Sequence, residues 1–218
     1  VDGFVSELEE LRQELKTERM HLLGHSFGGL IIGEYALRYP DRVASLTFAC
    51  VSIDIPRWIA DGDRLVGQLP LMQKMVLREG ARTGAIHSPH YLTALGAYYK
   101  KHVYGCEEIP ECIRRSEAEA DSQTYTIVWG SNELVVNGMV RDYSLSPRLS
   151  DLRVPTLFMC GRFDEATPEA HAYFASLVPG SSLHIFERSA HHPFVTETEE
   201  SLRVIRDFVT TTPEEVRA

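Results

Sequence analysis

The chain has 218 residues, 44% apolar and 24% charged, the make-up of a folded globular protein rather than a disordered one. Lysine and arginine number 22 against 31 aspartates and glutamates, so the net charge is −9; with no basic patch, binding to a nucleic-acid backbone is excluded. No apolar run approaches the roughly 20 residues of a membrane helix, and the length suits one large domain or a core with an inserted lobe.

Phe4, Leu8, Leu11 and Leu15 recur at helical spacing between glutamates and arginines, which predicts a surface helix over residues 2–17. Residues 20–23 form a short apolar strand ending at Gly24, and residues 30–38 a helix stopped by Pro40. Residues 43–51 are the next strand, apolar enough to be covered on both faces. Strand, helix and strand with short joints make a βαβ unit of a parallel sheet. Residues 54–147 break the rhythm, with helices expected over 63–77, 89–101 and 108–120 and one strand candidate at 125–129. The α/β alternation then returns as strand 156–160, helix 169–178, strand 182–186 and a closing helix over 197–210. The expected architecture is an α/β core of residues 1–53 and 148–218, with helices on both faces of a mostly parallel sheet. A helical cap over 54–147 is inserted into it.

The cysteines (Cys50, Cys106, Cys112, Cys160) show no CxxC pair and no Cys/His ligand spacing, so neither a metal nor a cofactor is expected. They read as reduced thiols of a cytoplasmic protein, consistent with an acidic amphipathic amino end in place of a signal peptide.

Gly24-His25-Ser26-Phe27-Gly28 is a G-x-S-x-G sequence set between a strand and a helix, with Gly29 following. A sharp turn there lifts the Ser26 hydroxyl above the carboxyl edge of the sheet. The Phe27 amide can then donate to a developing oxyanion, helped by the field of the helix amino terminus. A serine nucleophile needs a base and an orienting acid, in chain order serine, acid, histidine. Asp164, just past the strand at 156–160, supplies the acid. The loop Arg188-Ser189-Ala190-His191-His192-Pro193 supplies the base, with His191 and His192 competing for the role. The remaining histidines read as structural or solvated.

With these residues in place, the segments 22–29, 34–40 and 154–168 resemble the α/β-hydrolase fold, and within it the proline iminopeptidase family, which includes the tricorn-interacting aminopeptidases. The resemblance spans nearly the whole chain and favours His191 as the base. Trp129-Gly130-Ser131-Asn132-Glu133-Leu134 is similar to the family's Gly-Pro-Asn-Glu-Phe. By that resemblance Glu133, together with Glu165 directly after the acid, holds the free α-ammonium of a substrate, with Trp129 beside it. Ser131 and Leu134 depart from the family's Pro and Phe.

The resemblance implies a serine hydrolase that releases an amino-terminal residue, Pro favoured, from short peptides or amino-acid amides, with no cofactor. The alternatives are an amino-acid amidase, a carboxylesterase, or a non-catalytic fragment. The family's His-Gly-Gly-Pro-Gly loop does not precede Ser26. A complementing amino-terminal segment or a homo-oligomer is therefore expected to finish the sheet and the oxyanion site.

Overall fold

The computed structural model describes residues 1–211; the end of the second core part, 212–218, lies outside the described residues. Among the described residues β1 (Met20–His25), β2 (Val43–Ala49), β3 (Thr156–Gly161) and β4 (Ser182–Phe186) form one sheet in the order β1-β2-β3-β4. Every neighbouring pair is parallel. Parallel neighbours require crossovers. These are α2 (Gly28–Arg38) between β1 and β2, α8 (Pro168–Leu177) between β3 and β4, and the whole of 54–147 between β2 and β3.

The apolar run of β3 is buried at every position and that of β2 at all but Ala44, whereas the outer strands β1 and β4 are only partly covered. Leu30 and Tyr35 of α2 and Phe174 of α8 close one face over Leu46, Phe48 and Phe158, whose two phenyl rings stack at 4.9 Å. On the other face α10 (Thr198–Thr211) sets Val204, Ile205 and Phe208, one helical stripe, against Leu157, Met159 and Phe186. The amino-terminal helix α1 (Asp2–Glu14) leans on α2, where the Tyr35 hydroxyl donates to Glu9 Oε2 at 2.7 Å. It stops three residues short of the expected 17, because Lys16 takes a left-handed φ of 53°.

The segment between β2 and β3 is helical: α3 (Ile55–Gly67), α4 (Leu71–Thr83), α5 (Pro89–Tyr99), a π-helical turn (Lys100–Tyr104), α6 (Glu111–Glu119) and α7 (Ser122–Val128). Two expectations are corrected here. The single helix over 63–77 is two helices parted at Pro70, which lacks a donor and biases Leu69 toward extended backbone. The strand candidate at 125–129 is instead the end of α7. Its Thr-Ile-Val run favours a strand, yet the Asp121 carboxylate caps the Gln123 and Thr124 amides at 3.0 and 3.3 Å, and the turn of helix forms. Other element ends differ from expectation by a few residues, and a one-turn α9 (Pro193–Thr196) precedes α10.

Candidate active site

The parallel register aligns His25 with Ala49, Ala49 with Met159, and Gly161 with Phe186, so the strands end along one carboxyl edge. The chain leaves β1 at Ser26, leaves β3 toward Asp164, and leaves β4 toward His191, which brings all three loops to that edge.

Ser26 sits at φ +52°, a left-handed conformation that non-glycine residues seldom adopt. Its amide donates to the Ala49 carbonyl at 3.0 Å, extending the β1–β2 ladder, and its carbonyl accepts from Gly29 at 3.1 Å as α2 begins. Phe27 is the residue that opens the helix, so its amide lies at the positive end of the helix field. The turn is this tight because Gly24 carries no side chain: a Cβ there would lie 2.4 Å from the Gly28 carbonyl oxygen.

Asp164 is buried and accepts on Oδ1 from His191 Nδ1 and from the Ala166 amide, each at 2.8 Å. Burial alone would raise the Asp164 carboxyl; the charge and hydrogen bond of His191 and the Cys50 thiol outweigh it and hold the carboxyl below its ordinary range. Burial alone would lower His191, but the Asp164 carboxylate, with Glu133 adding to it, brings the imidazole above its ordinary 6.5. Its neighbour differs. Burial, then the charges of His191 and His25, depress His192 to about 3. The geometry therefore pairs Asp164 with His191, not with His192.

The acid and histidine loops also touch directly. Arg162 donates to the Phe186 carbonyl at 2.8 Å and Phe163 to that of Ser189 at 3.0 Å. Gly161 permits this approach, since a Cβ there would lie 2.2 Å from the Ala190 carbonyl oxygen. Below them Glu197 accepts from the Ser189 hydroxyl at 2.6 Å and from the Arg188 amide at 3.0 Å, bracing the base of the loop.

Glu133 reaches the same region from the cap. Buried Asn132 makes the turn, its Oδ1 accepting from Leu134 and Val135 at 3.0 and 3.1 Å. Ser26, Phe27, Tyr125, Trp129 and Glu133 all line one cavity of about 320 Å³. Burial, then repulsion from Glu133 and Asp164, push the Glu165 carboxyl well above its usual value, and burial raises Glu133. The Tyr125 hydroxyl donates to Glu133 Oε1 at 2.8 Å.

Several residues at the site carried no readable signal. Trp58 donates from Nε1 to the Glu133 carbonyl at 3.0 Å and stands edge-on to both Trp129 and His191. An aromatic on a helix reads first as core, so spacing could not single it out. His25 is depressed to about 4 by burial and by the His191 charge; neutral, it donates from Nε2 to the His191 carbonyl at 2.8 Å. Its place beside the nucleophile was the available clue. His171 is a structural group, accepting from the Val51 amide at 3.1 Å. The four cysteines are unpaired. His25, Cys50 and His191 bring donor atoms within 4.8 Å of one another, a closeness that the bonds of both histidines in this cluster already explain. Among the described residues no helix is long and apolar enough to cross a membrane.

A parallel sheet with a serine elbow, an acid and a histidine at its carboxyl edge defines an alpha/beta hydrolase. The family model described as alpha/beta hydrolase fold matches residues 1–198, and the chain belongs to that family. Its kinship is narrower still. It is 36% identical to a proline iminopeptidase of Heyndrickxia coagulans, over 96% of this chain and 73% of the relative, and 32% identical to one of Saccharolobus solfataricus, over 96% and 68%. The crystal structure of VinJ superposes with a TM-score of 0.91 at 30% identity, covering 96% of this chain and 72% of that one. A proline iminopeptidase structure from Mycobacterium smegmatis superposes at 0.88 with 31% identity, covering 95% and 70%. The chain is a member of the proline iminopeptidase family.

Proposed function

We propose that the protein is a serine aminopeptidase that releases an amino-terminal residue, proline favoured, from short peptides or amino-acid amides. The observation that carries this reading is the pair Glu133 and Glu165, two carboxyls raised by burial and, at Glu165, by repulsion from Glu133, which shares the lining of one cavity with Ser26. Such a pair is stabilised by a cation, and a substrate α-ammonium is the cation that would fix the scissile bond one residue from the end.

In this reading the Ser26 hydroxyl attacks the carbonyl of the first residue. His191, its Nδ1–H held by Asp164, takes the proton and returns it to the leaving amine. The Phe27 amide donates to the oxyanion, and Trp129, with Trp58 packed edge-on against it, walls the first-residue side of the cavity. Water then hydrolyses the acyl-enzyme by the same proton path. The decisive experiment compares amino-acid β-naphthylamides with free and with blocked amines. Rapid turnover of the free-amine forms alone is expected; equal turnover of both would make the protein a general amidase or esterase.

Two structural proposals accompany the function. Residues 54–147 act as the cap between the core parts 1–53 and 148–218. The outer edge of β1, where Leu23 is 42% exposed, receives a further strand from a complementing segment or a second copy, since an open edge of this kind invites pairing. The loop after that strand would add a second oxyanion donor, worth about 2.7–4 kcal/mol. Higher solubility and activity on co-expression with an upstream segment would support this proposal; a fully active monomer of these residues alone would overturn it.

A further inference from the structure

One short segment of the cap, the π-helical turn at Lys100–Tyr104, bonds to the backbone of both catalytic loops. Buried His102 makes two hydrogen bonds across to the acid loop. Its Nδ1–H donates to the carbonyl of Phe163 at 2.8 Å, and its own carbonyl accepts from the amide of Glu165 at 3.1 Å. Those two residues are the chain neighbours of Asp164 on either side. The next carbonyl, that of Val103, accepts from the amide of His191 at 3.0 Å. Two consecutive residues of the cap thus fix the backbone of the acid on both sides and the backbone of the base.

The end of the helix is what makes this possible. In a π-helix the carbonyl pairs five residues ahead, as Lys100 does with the Gly105 amide at 3.1 Å. The helix ends at Gly105, so the His102 and Val103 carbonyls, in its last turn, have no partner further along the helix and face the loops instead. The same segment continues α5, where the Tyr99 hydroxyl accepts from the Glu133 amide at 3.4 Å. The carboxylates and the triad loops therefore hang from one element.

We propose that His102 is a positioning residue: its imidazole and its carbonyl tie the acid loop to the cap on both sides of Asp164, beside the Val103 carbonyl that holds His191, and so set the distance between acid and base. The inference rests on the catalytic reading above. A misplacement of about 1 Å at reacting groups costs roughly 10²-fold in rate, so loosening the bracket on the acid acts chiefly on kcat.

The test compares His102→Asn, which keeps an N–H near the Nδ1 position, with His102→Leu, which has none. Both are made in the enzyme preparation that shows activity. The readouts are kcat and KM on a free-amine amide and on a simple ester, and the rate of Ser26 labelling by a fluorophosphonate. His102→Leu is expected to lower kcat and labelling roughly 10–100-fold on both substrates with KM within about twofold, and His102→Asn to recover to within a few-fold of the parent. The proposal is overturned if the Leu variant stays within threefold of the parent, if the loss appears in KM alone, or if Asn falls as far as Leu. Should the Leu variant fail to fold, His102→Gln, whose N–H is displaced toward the Nε2 position, replaces it under the same criteria. Failure of the catalytic reading looks different, because the parent itself would then not label at Ser26.

Discussion

The carboxyl edge of the sheet and the cap above it solve different problems with different architecture. At the edge, a fixed parallel register presents Ser26, Asp164 and His191 from the loops that leave β1, β3 and β4. The cap has no comparable ladder. Its helices pack in separate apolar groups, one around Tyr91 and Tyr98 and another around Trp58 and Trp129, and it contributes carboxylate, aromatic and hydroxyl groups around the cavity. The difference teaches a division of labour in the proposed reaction: the edge would supply the bond-making chemistry, and the cap, with Glu165 beside the acid, would select what reaches it. Substitutions in the proposed triad should therefore damage every substrate alike, and substitutions of the carboxylates proposed to face the ammonium, and of their partners, only those bearing a free amine.

The largest effects test the edge. Ser26→Ala and His191→Ala are each expected to lower kcat by about 10⁴-fold or more on amine substrates and simple esters alike, with folding intact by circular dichroism. His192→Ala should remain within a few-fold, because no carboxylate orients it and its imidazole stays neutral. A severe loss from His192→Ala with a mild one from His191→Ala would transfer the base role.

Asp164→Asn comes next and also moves a pH profile. The reaction needs neutral His191, so kcat/KM rises with pH through the His191 pKa, which the Asp164 carboxylate holds above 6.5. Removing that charge leaves burial as the dominant influence, and the acid limb should shift to lower pH while the plateau falls by about 10³–10⁴-fold. A limb that stays in place would mean that another group governs it.

Recognition of the free amine is read by Glu133→Gln in the cap and Glu165→Gln beside the acid, which keep shape and remove charge. Leaving a buried ammonium unpaired costs about 2–5 kcal/mol, or roughly 30- to 5,000-fold in kcat/KM on free-amine substrates. Esters without an amine should change little. Equal losses on both substrate types would show the two residues maintaining the edge, and the division of labour would fail.

The same division explains what could be read from the sequence. The proposed triad could be read from the sequence because each member follows an apolar strand, and period and turn chemistry mark strand ends: Gly24 before Ser26, Gly161 before Asp164, Pro193 after the histidine pair. Glu133 and Glu165 came from the family resemblance; taken alone, each is an ordinary helix-start carboxylate. Trp58, Tyr99, His102 and Tyr125 were not legible, because their partners lie 75, 34, 61 and 8 residues away and nothing in local spacing encodes such meetings. The strand wrongly expected at 125–129 has the same origin: β-branched residues favour a strand only where a neighbour pairs with it, and the Asp121 cap decided otherwise.

The smallest effect is the most pointed test of the cap, because it touches one hydrogen bond and no charge. Tyr125→Phe removes the hydroxyl that donates to Glu133 Oε1 and changes little else. Burial, followed by the nearby Glu133 carboxylate, raises that hydroxyl far above its ordinary range, so it remains a donor throughout the working pH range. Its donation is one of the two influences that oppose the burial penalty on Glu133, the other being the His191 charge. Without it the Glu133 carboxyl should rise further, and a larger share of the enzyme should carry it protonated and unable to pair with an ammonium. A hydrogen bond of this kind contributes about 0.5–1.5 kcal/mol net, so kcat/KM on free-amine substrates should fall roughly 2- to 10-fold. The loss should shrink as pH rises, because higher pH restores the carboxylate, and ester turnover should stay at the parent level at every pH. A loss independent of pH and shared by the ester would assign Tyr125 to the packing of α7 instead of to the charge on Glu133.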